Sequence, residues 1–238
     1  MKILLLADIH ANWVALSAIR ESFDACLFLG DLVEYGTQPA PCIDWVRTNA
    51  HVAIRGNHDH STAQRVSTSS GAGCRRLAAA TRAQHAATLS PTHLKFLARL
   101  PVTTTLSLDG KSFYLVHATP RDPMDEYLGN DPQAWTQRLS GIEADFVCVG
   151  HTHLPLQLDL NGRQLINPGS VGQPRDGDPR AAYAVIEDGK VSFRRAEYDI
   201  DAVIEQMRES GLDADSIAIA EDMLRTGGRP IRSEPFTP

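Results

Sequence analysis

Residues 2–57 alternate in a way that few folds accommodate. KILLLAD (2–8), ACLFLGD (25–31) and HVAIRGN (51–57) are short and largely apolar. Between them lie NWVALSAIRESF (12–23) and APCIDWVRTN (40–49). In the first of these, Trp13, Leu16, Ile19 and Phe23 fall near one helical face. Strand, helix, strand, helix, strand predicts an α/β sheet with parallel strands.

The chain then changes character. Residues 60–100 are rich in Ala, Ser, Thr and Arg and predict two or three helices covering one edge of a site. Ser90 reads as the N-cap of the last, with Pro91 in its first turn. Strand signals return at 102–118, 144–150, 156–170 and 181–199, with hairpin turns at Asp109-Gly110, Asn161-Gly162 and Asp188-Gly189. This half reads as antiparallel hairpins beside a sheet strand. Helical spacing follows over 200–226, and 227–238 is expected to be loose. No repeat or linker divides the chain, so one domain over 1–238 with a helical insertion at 60–100 is expected.

Charge and cysteine usage narrow the function classes. A net charge of −6 lacks the basic field of a stable nucleic-acid binder, yet suits a small phosphorylated substrate held by local cations. No stretch reaches the roughly 20 apolar residues needed to span a membrane. MKILLLADIH is interrupted by Asp8 and His10, unlike a secretory signal. The four cysteines form no C-x-x-C pair, and Cys26 and Cys148 sit in apolar runs as small hydrophobes. A reduced, cytoplasmic protein is expected, with homo-oligomerisation left open.

The strand ends carry the chemistry. Asp8 and His10 follow the first apolar run, Asp31 the second, and Asn57, His58 and Asp59 the third. His117 ends SFYLVHA, and His151 and His153 end FVCVGHTH. A lone histidine after a strand is more often a packing or surface residue than a ligand. Parallel strands, however, bring their carboxyl ends to one crevice. Three oxygen donors and four imidazoles at equivalent positions are hard to explain by packing, because aspartate is rarely buried unless paired or metal-bound. Histidine and carboxylate without cysteine suit Mn, Fe, Co, Ni or Zn in an open site. Seven donors exceed one tetrahedral ion and match two ions sharing a carboxylate, with Asp31 as the natural bridge through its two oxygens.

The order Asp8-Ile9-His10, Gly30-Asp31, Gly56-Asn57-His58-Asp59, His117, Gly150-His151-Thr152-His153 resembles the calcineurin-like metallophosphoesterases. GDLVEYG (30–36) and INPGSVGQPRDG (166–177) resemble a subgroup of small bacterial and archaeal predicted phosphodiesterases. The resemblance implies a four-layer α-β-β-α sandwich of two mixed sheets. It implies hydrolysis of phosphodiester or phosphomonoester bonds by hydroxide activated between two divalent ions, Mn²⁺ first among the metals named above. One ion would take Asp8, His10, Asp31 and His153; the second would take Asp31, Asn57, His117 and His151. His58 would contact phosphate and protonate the leaving group, Asp59 would orient His58, and Asn12 matches a supporting position beside the metals. Ala11 departs from the glycine common in the family. The alternative is a non-catalytic metal-bound scaffold or sensor of the same fold, for which loss of His58 or of several ligands would be the mark. All are present.

Other residues keep plainer expectations. His85 and His93 read as helix-surface residues, and Arg75, Arg76 and Arg82 as a solvated helix face. Arg175 is a candidate substrate contact beside Asn57 and His58. The substrate itself is expected to be small and phosphorylated, with nucleotides among the candidates.

Overall fold

The computed structural model describes residues 1–66 and 71–228. β1 (Lys2–Leu6), β2 (Ala25–Phe28) and β3 (Val52–Ala53) pair in parallel, as the alternation predicts. β9 (Ala181–Glu187) adds antiparallel to β1, and β10 (Lys190–Ala196) adds to β9, giving the order β10-β9-β1-β2-β3. The second sheet contains β4 (Thr103–Leu108), β5 (Lys111–Val116), β6 (Phe146–Cys148), β7 (Leu156–Leu160) and β8 (Arg163–Asn167), in the order β4-β5-β6-β8-β7. Here the structure departs from the expected run of hairpins. β5, β6 and β8 are parallel, and the hairpins lie only at the two edges. A crossover through α6 (Pro132–Arg138), which the sequence reading did not find, separates β5 from β6.

Period-two alternation along β1 sorts the core into layers. Ile3 and Leu5 face the second sheet, meeting Phe113, Leu115, Phe146, Cys148 and Ile166. Phe113 and Phe146 stack with ring centroids 5.0 Å apart, an arrangement that contributes about 0.5–1.5 kcal/mol beyond its buried area. Leu4 and Leu6 point the other way, toward Leu16 of α1 (Trp13–Ala18), Ile43 and Val46 of α2 (Pro39–Asn49), and Leu97 of α5 (Pro91–Arg99). Beyond the second sheet, Val116, Val147 and Leu165 cover Trp135 of α6 and Leu139. The result is two mixed five-stranded sheets packed between helices.

Helix α1 is shorter than its spacing predicts. Asn12 caps it by accepting from Ala15 N at 3.0 Å, but the chain turns extended at Ile19. Ile19 and Phe23 still pack on the core from non-helical backbone, which is why their spacing mimicked a longer helix. Ser90 caps α5 as predicted, with Pro91 in its first turn. α3 (Asn57–Ala63) and α4 (Cys74–Thr88) precede it. Leu77 and Ala78 of α4 pack on Val203, Ile204 and Met207 of α7 (Ile200–Glu209) and on Ala220 and Leu224 of α8 (Ala214–Thr226). The C-terminal helices therefore buttress α4. Gly227 ends α8 in a left-handed cap, and the rest of the expected loose tail, 229–238, lies outside the described residues. All four cysteines are free. No helix among the described residues is long and apolar enough to cross a membrane.

Candidate metal centre

The strands of both sheets deliver the polar residues to neighbouring turns. Asp8, His10, Ala11, Asp31, Glu34, Tyr35, His151 and His153 all have φ between 49° and 67°. Left-handed backbone costs of order 1–3 kcal/mol per non-glycine residue, so the surroundings must enforce it. Hydrogen bonds between turns do so: Asp8 N to Gly30 O at 2.9 Å, His10 N to Asp31 O at 3.0 Å, Ala11 N to Leu32 O at 2.7 Å, Gly150 N to His117 O at 2.8 Å, and Gly172 N to Asp8 O at 3.0 Å. Asn12 Nδ2 adds a bond to Gly172 O at 3.1 Å. Asn12 thus ties the turn after β1 to the one after β8. Ala11 sits at φ 51°, which explains why glycine suits that position.

Two donor groups result, Asp8 with His10 and His153, and Asp31 with His117 and His151. All six side chains are buried. Three imidazoles are held in one tautomer, because Nδ1–H donates to a backbone carbonyl: His10 to Val33 at 2.9 Å, His117 to Leu29 at 2.7 Å, and His153 to Gln173 at 2.6 Å. On His10 and His153 the Nε2 then presents a lone pair inward, while His117 Nε2 faces the Asp31 carboxylate at 3.2 Å. His10 Nε2 and His153 Nε2 stand 3.1 Å apart. Burial holds His10 near pKa 3 and His153 well below its ordinary value, so both rings are neutral and no proton lies between the two nitrogens. Two nitrogens each about 2.1 Å from one cation stand about 3.0–3.4 Å apart for octahedral to tetrahedral angles, so the close pair fits a shared cation that would relieve the lone-pair repulsion.

The two groups meet at Asp31. Its Oδ2 lies 3.2 Å from His117 Nε2 and 3.8 Å from His10 Nε2. Its Oδ1 accepts from His58 N at 3.0 Å, which leaves Oδ2 as the carboxylate oxygen turned toward both groups. Asp31 Oδ2, Asn57 Oδ1, His117 Nε2 and His151 Nε2 are buried without a hydrogen-bond partner among the described residues. Orphaned buried donors and acceptors are costly, and four in one place fit a cation site. The charges agree. Burial lowers the His117 pKa, but Asp31 and Asp8 outweigh it and raise it to about 10. Burial and Asp31 lift Asp8 to about 7, against His117. The pocket therefore favours added positive charge.

His58 lies beside this centre, with Nε2 4.0 Å from Asp31 Oδ2. Its Nδ1 meets Glu34 Oε2 at 2.6 Å. This corrects the expectation for Asp59, which does not touch the His58 ring. The Asp59 carboxylate instead accepts three backbone N–H groups, from Leu32 at 2.7 Å, Asp31 at 2.8 Å and Gly56 at 3.0 Å. It clamps the turns that carry Asp31 and Asn57, and Glu34 orients His58. Arg82 and His85 also depart from expectation. Arg82 is largely buried against Glu34, and His85 is buried between Glu34 N and Gly36 O. His93 is half-buried and pairs with Asp44 at 3.2 Å.

At the rim, the Arg175 guanidinium carbon lies 6.0 Å from the Tyr35 ring centroid, and Nη2 donates to Gln173 Oε1 at 3.1 Å. Tyr35 packs edge-on against His10 at 4.7 Å. Tyr127 covers His151 at 4.1 Å while staying 61% exposed. Tyr127 was missed because residues 119–131 carry no periodic signal. Glu34 was quoted within GDLVEYG, but its role depends on a turn that no spacing reveals.

The sequence model of the calcineurin-like phosphoesterase superfamily domain matches residues 1–189. The uncharacterized protein MJ0912 of Methanocaldococcus jannaschii is 30% identical over 233 residues, 88% of this chain and 93% of its own length. A metallophosphoesterase crystal structure from Sphaerobacter thermophilus superposes with TM-score 0.80 at 35% identity, covering 95% of this chain and 99% of that one. The hypothetical protein PH1004 of Pyrococcus horikoshii shares the fold, with TM-score 0.81 at 20% identity, covering 96% and 99%.

Proposed function

This chain belongs to the calcineurin-like phosphoesterase superfamily, and on that premise we propose that it hydrolyses phosphoester bonds at a centre of two divalent metal ions. The observation that carries the reading is the convergence of the four orphaned ligand atoms of Asp31, Asn57, His117 and His151 next to the facing nitrogens of His10 and His153. Asp8, His10, Asp31 and His153 would hold one ion. Asp31, Asn57, His117 and His151 would hold the other, with Asp31 common to both. A histidine, carboxylate and amide set suits Mn²⁺, with Fe, Zn, Ni and Co as alternatives for the same donors. Bound there, such ions supply Lewis acidity toward a phosphoryl oxygen and make water a nucleophile near neutral pH.

The remaining residues bind and move protons. Two divalent charges outweigh the carboxylates of Asp8 and Asp31, so the crevice attracts an anion. Asn57 and Arg175 flank it as phosphate contacts. His58, held through Nδ1 by Glu34, turns Nε2 toward the centre and donates a proton to the leaving oxygen, a contribution worth about 10²–10⁴ in rate when that oxygen is a poor leaving group. Asp59 keeps the Asp31 and Asn57 turns in register. We read residues 1–238 as one domain with α3–α5 inserted, acting in the cytoplasm on a small phosphorylated substrate, nucleotides included. Three helices in place of a large cap leave room for a second ester group, so diesters are the favoured class.

A metal-reconstitution assay tests this. Chelated protein reloaded with Mn²⁺ hydrolyses bis-p-nitrophenyl phosphate, and p-nitrophenyl phosphate no faster. Full activity after exhaustive chelation contradicts the mechanism, and a kcat/KM a hundredfold higher for the monoester contradicts the diester preference.

A further inference from the structure

One face of α4 grips the turn that carries Glu34. Thr81 Oγ1 accepts from Tyr35 N at 2.9 Å, and His85 Nδ1 accepts from Glu34 N at 3.2 Å. His85 Nε2 donates to Gly36 O at 3.1 Å. Arg82 reaches the side chain itself, with Nε 2.5 Å from Glu34 Oε1 and Nη2 3.0 Å from Oε2. Glu34 and Tyr35 are both left-handed, at φ 67° and 59°, so this turn is one the chain would not hold unaided. The Glu34 side chain is fully buried and also accepts from Thr62 Oγ1 at 3.1 Å. Its Oε2 serves Arg82 and His58 Nδ1 together.

This arrangement fixes the plane of the carboxylate. A bidentate guanidinium allows one orientation of its partner, and in that orientation Oε2 faces His58. Removing Arg82 takes away two of the four side-chain donors on Glu34 and frees the carboxylate to rotate. The His58 ring then loses its anchor. Arg82 is itself held, since Nη1 donates to Val66 O at 3.2 Å.

We propose that Arg82 is a positioning residue for proton transfer: delivered by α4, it fixes Glu34, and Glu34 fixes the imidazole of His58 with Nε2 toward the metal centre. This gives the helices between β3 and β4 a part in the reaction. It rests on the reading of His58 as proton donor.

The test uses the full-length, Mn²⁺-loaded protein and aryl methyl phosphate diesters that differ only in leaving group, from p-nitrophenol, which departs without a proton, to unsubstituted phenol, which needs one. The quantity read is the ratio of kcat/KM for the two. His58→Ala raises the ratio, and Arg82→Ala raises it in the same sense by at least about tenfold, part of the general-acid contribution. Added guanidinium brings the phenyl ester rate of Arg82→Ala back up, and bound Mn²⁺ stays at the wild-type level. Arg82→Lys, which keeps the charge but not the two-point grip, also raises the ratio and serves if the alanine variant fails to fold. A purely structural ion pair would lower both rates alike, so an unchanged ratio in folded Arg82→Ala or Arg82→Lys overturns the proposal while leaving His58 its role. An unchanged ratio in His58→Ala overturns the proton-donor reading, and the proposal with it.

Discussion

Gly56→Ala isolates the closeness of two turns. Gly56 caps α3 with φ −91° and ψ 177°, a conformation alanine adopts freely, so the substitution brings no backbone strain. Its effect must come through the added carbon. A Cβ there would lie 2.0 Å from Asp31 Oδ1, 2.6 Å from Asp31 N and 2.7 Å from Asp31 Cγ. Carbon and oxygen in favourable contact stay about 3.3–3.6 Å apart, so one turn must move by more than about 1 Å. Metal sites accept ligand displacements of only about 0.2 Å. Moving Asp31 also breaks its bond from His58 N, and moving Gly56 weakens its bond to Asp59. Overpacking of this kind costs about 1–3 kcal/mol of stability. Because Asp31 serves both donor groups, Mn²⁺ affinity should fall by at least about 10²-fold, equivalent to about 2.8 kcal/mol. Calorimetric Mn²⁺ titration of the chelated variant, beside a thermal melt, measures both. Gly110→Ala is the control: its Cβ meets nothing within 4 Å but its φ is +71°, so it should lose stability without losing metal affinity. Wild-type Mn²⁺ affinity in Gly56→Ala would refute the placement of Asp31 against the α3 turn.

Two other predictions concern stability. Asp59→Asn keeps one oxygen, which at the Oδ2 place still accepts from Asp31 N and Gly56 N, but sets its NH2 against the N–H of Leu32; about 1–3 kcal/mol should be lost in chemical denaturation, and an unchanged midpoint would show that the clamp carries no energy. For His85, burial outweighs Glu34 and the Gly36 carbonyl and lowers the pKa from 6.5 to about 4, so the folded state prefers the neutral ring. That preference is fully present above pH 6.5 and is lost as pH falls toward 4, a change of about 3 kcal/mol. The stability difference between wild type and His85→Gln should shift against wild type by about that amount from pH 7 to pH 4, and a pH-independent difference would contradict it.

The donor set was legible because parallel strands deposit their ends together whatever the intervening loops do. Asp8, Asp31, His117, His151 and His153 needed only their strands to be recognised. Asp59 was expected to orient His58 because the family resemblance implies it, and the two are adjacent in the chain. In the first turn of a helix, neighbouring side chains diverge, and Asp59 folds back onto the N–H groups of Gly56, Asp31 and Leu32 while the His58 ring turns to Glu34. Arg82 and His85 looked like a solvated face because their partners, the left-handed turn at Glu34 and Tyr35, lie far away in the chain and in a conformation that spacing does not encode. The parallel placement of β5, β6 and β8 was hidden because β6 is only three residues long and α6 only seven. Ile19 and Phe23 show the converse, core contacts with helical spacing on non-helical backbone.

Two ions that share Asp31 would sit on either side of its carboxylate. Anomalous diffraction from crystals of the Mn²⁺-loaded protein tests this most directly. Two peaks per chain are expected. One should contact Asp8, His10 and His153, the other Asn57, His117 and His151, with Asp31 ligating both. A single peak, or two peaks with Asp31 bound to only one, would contradict it.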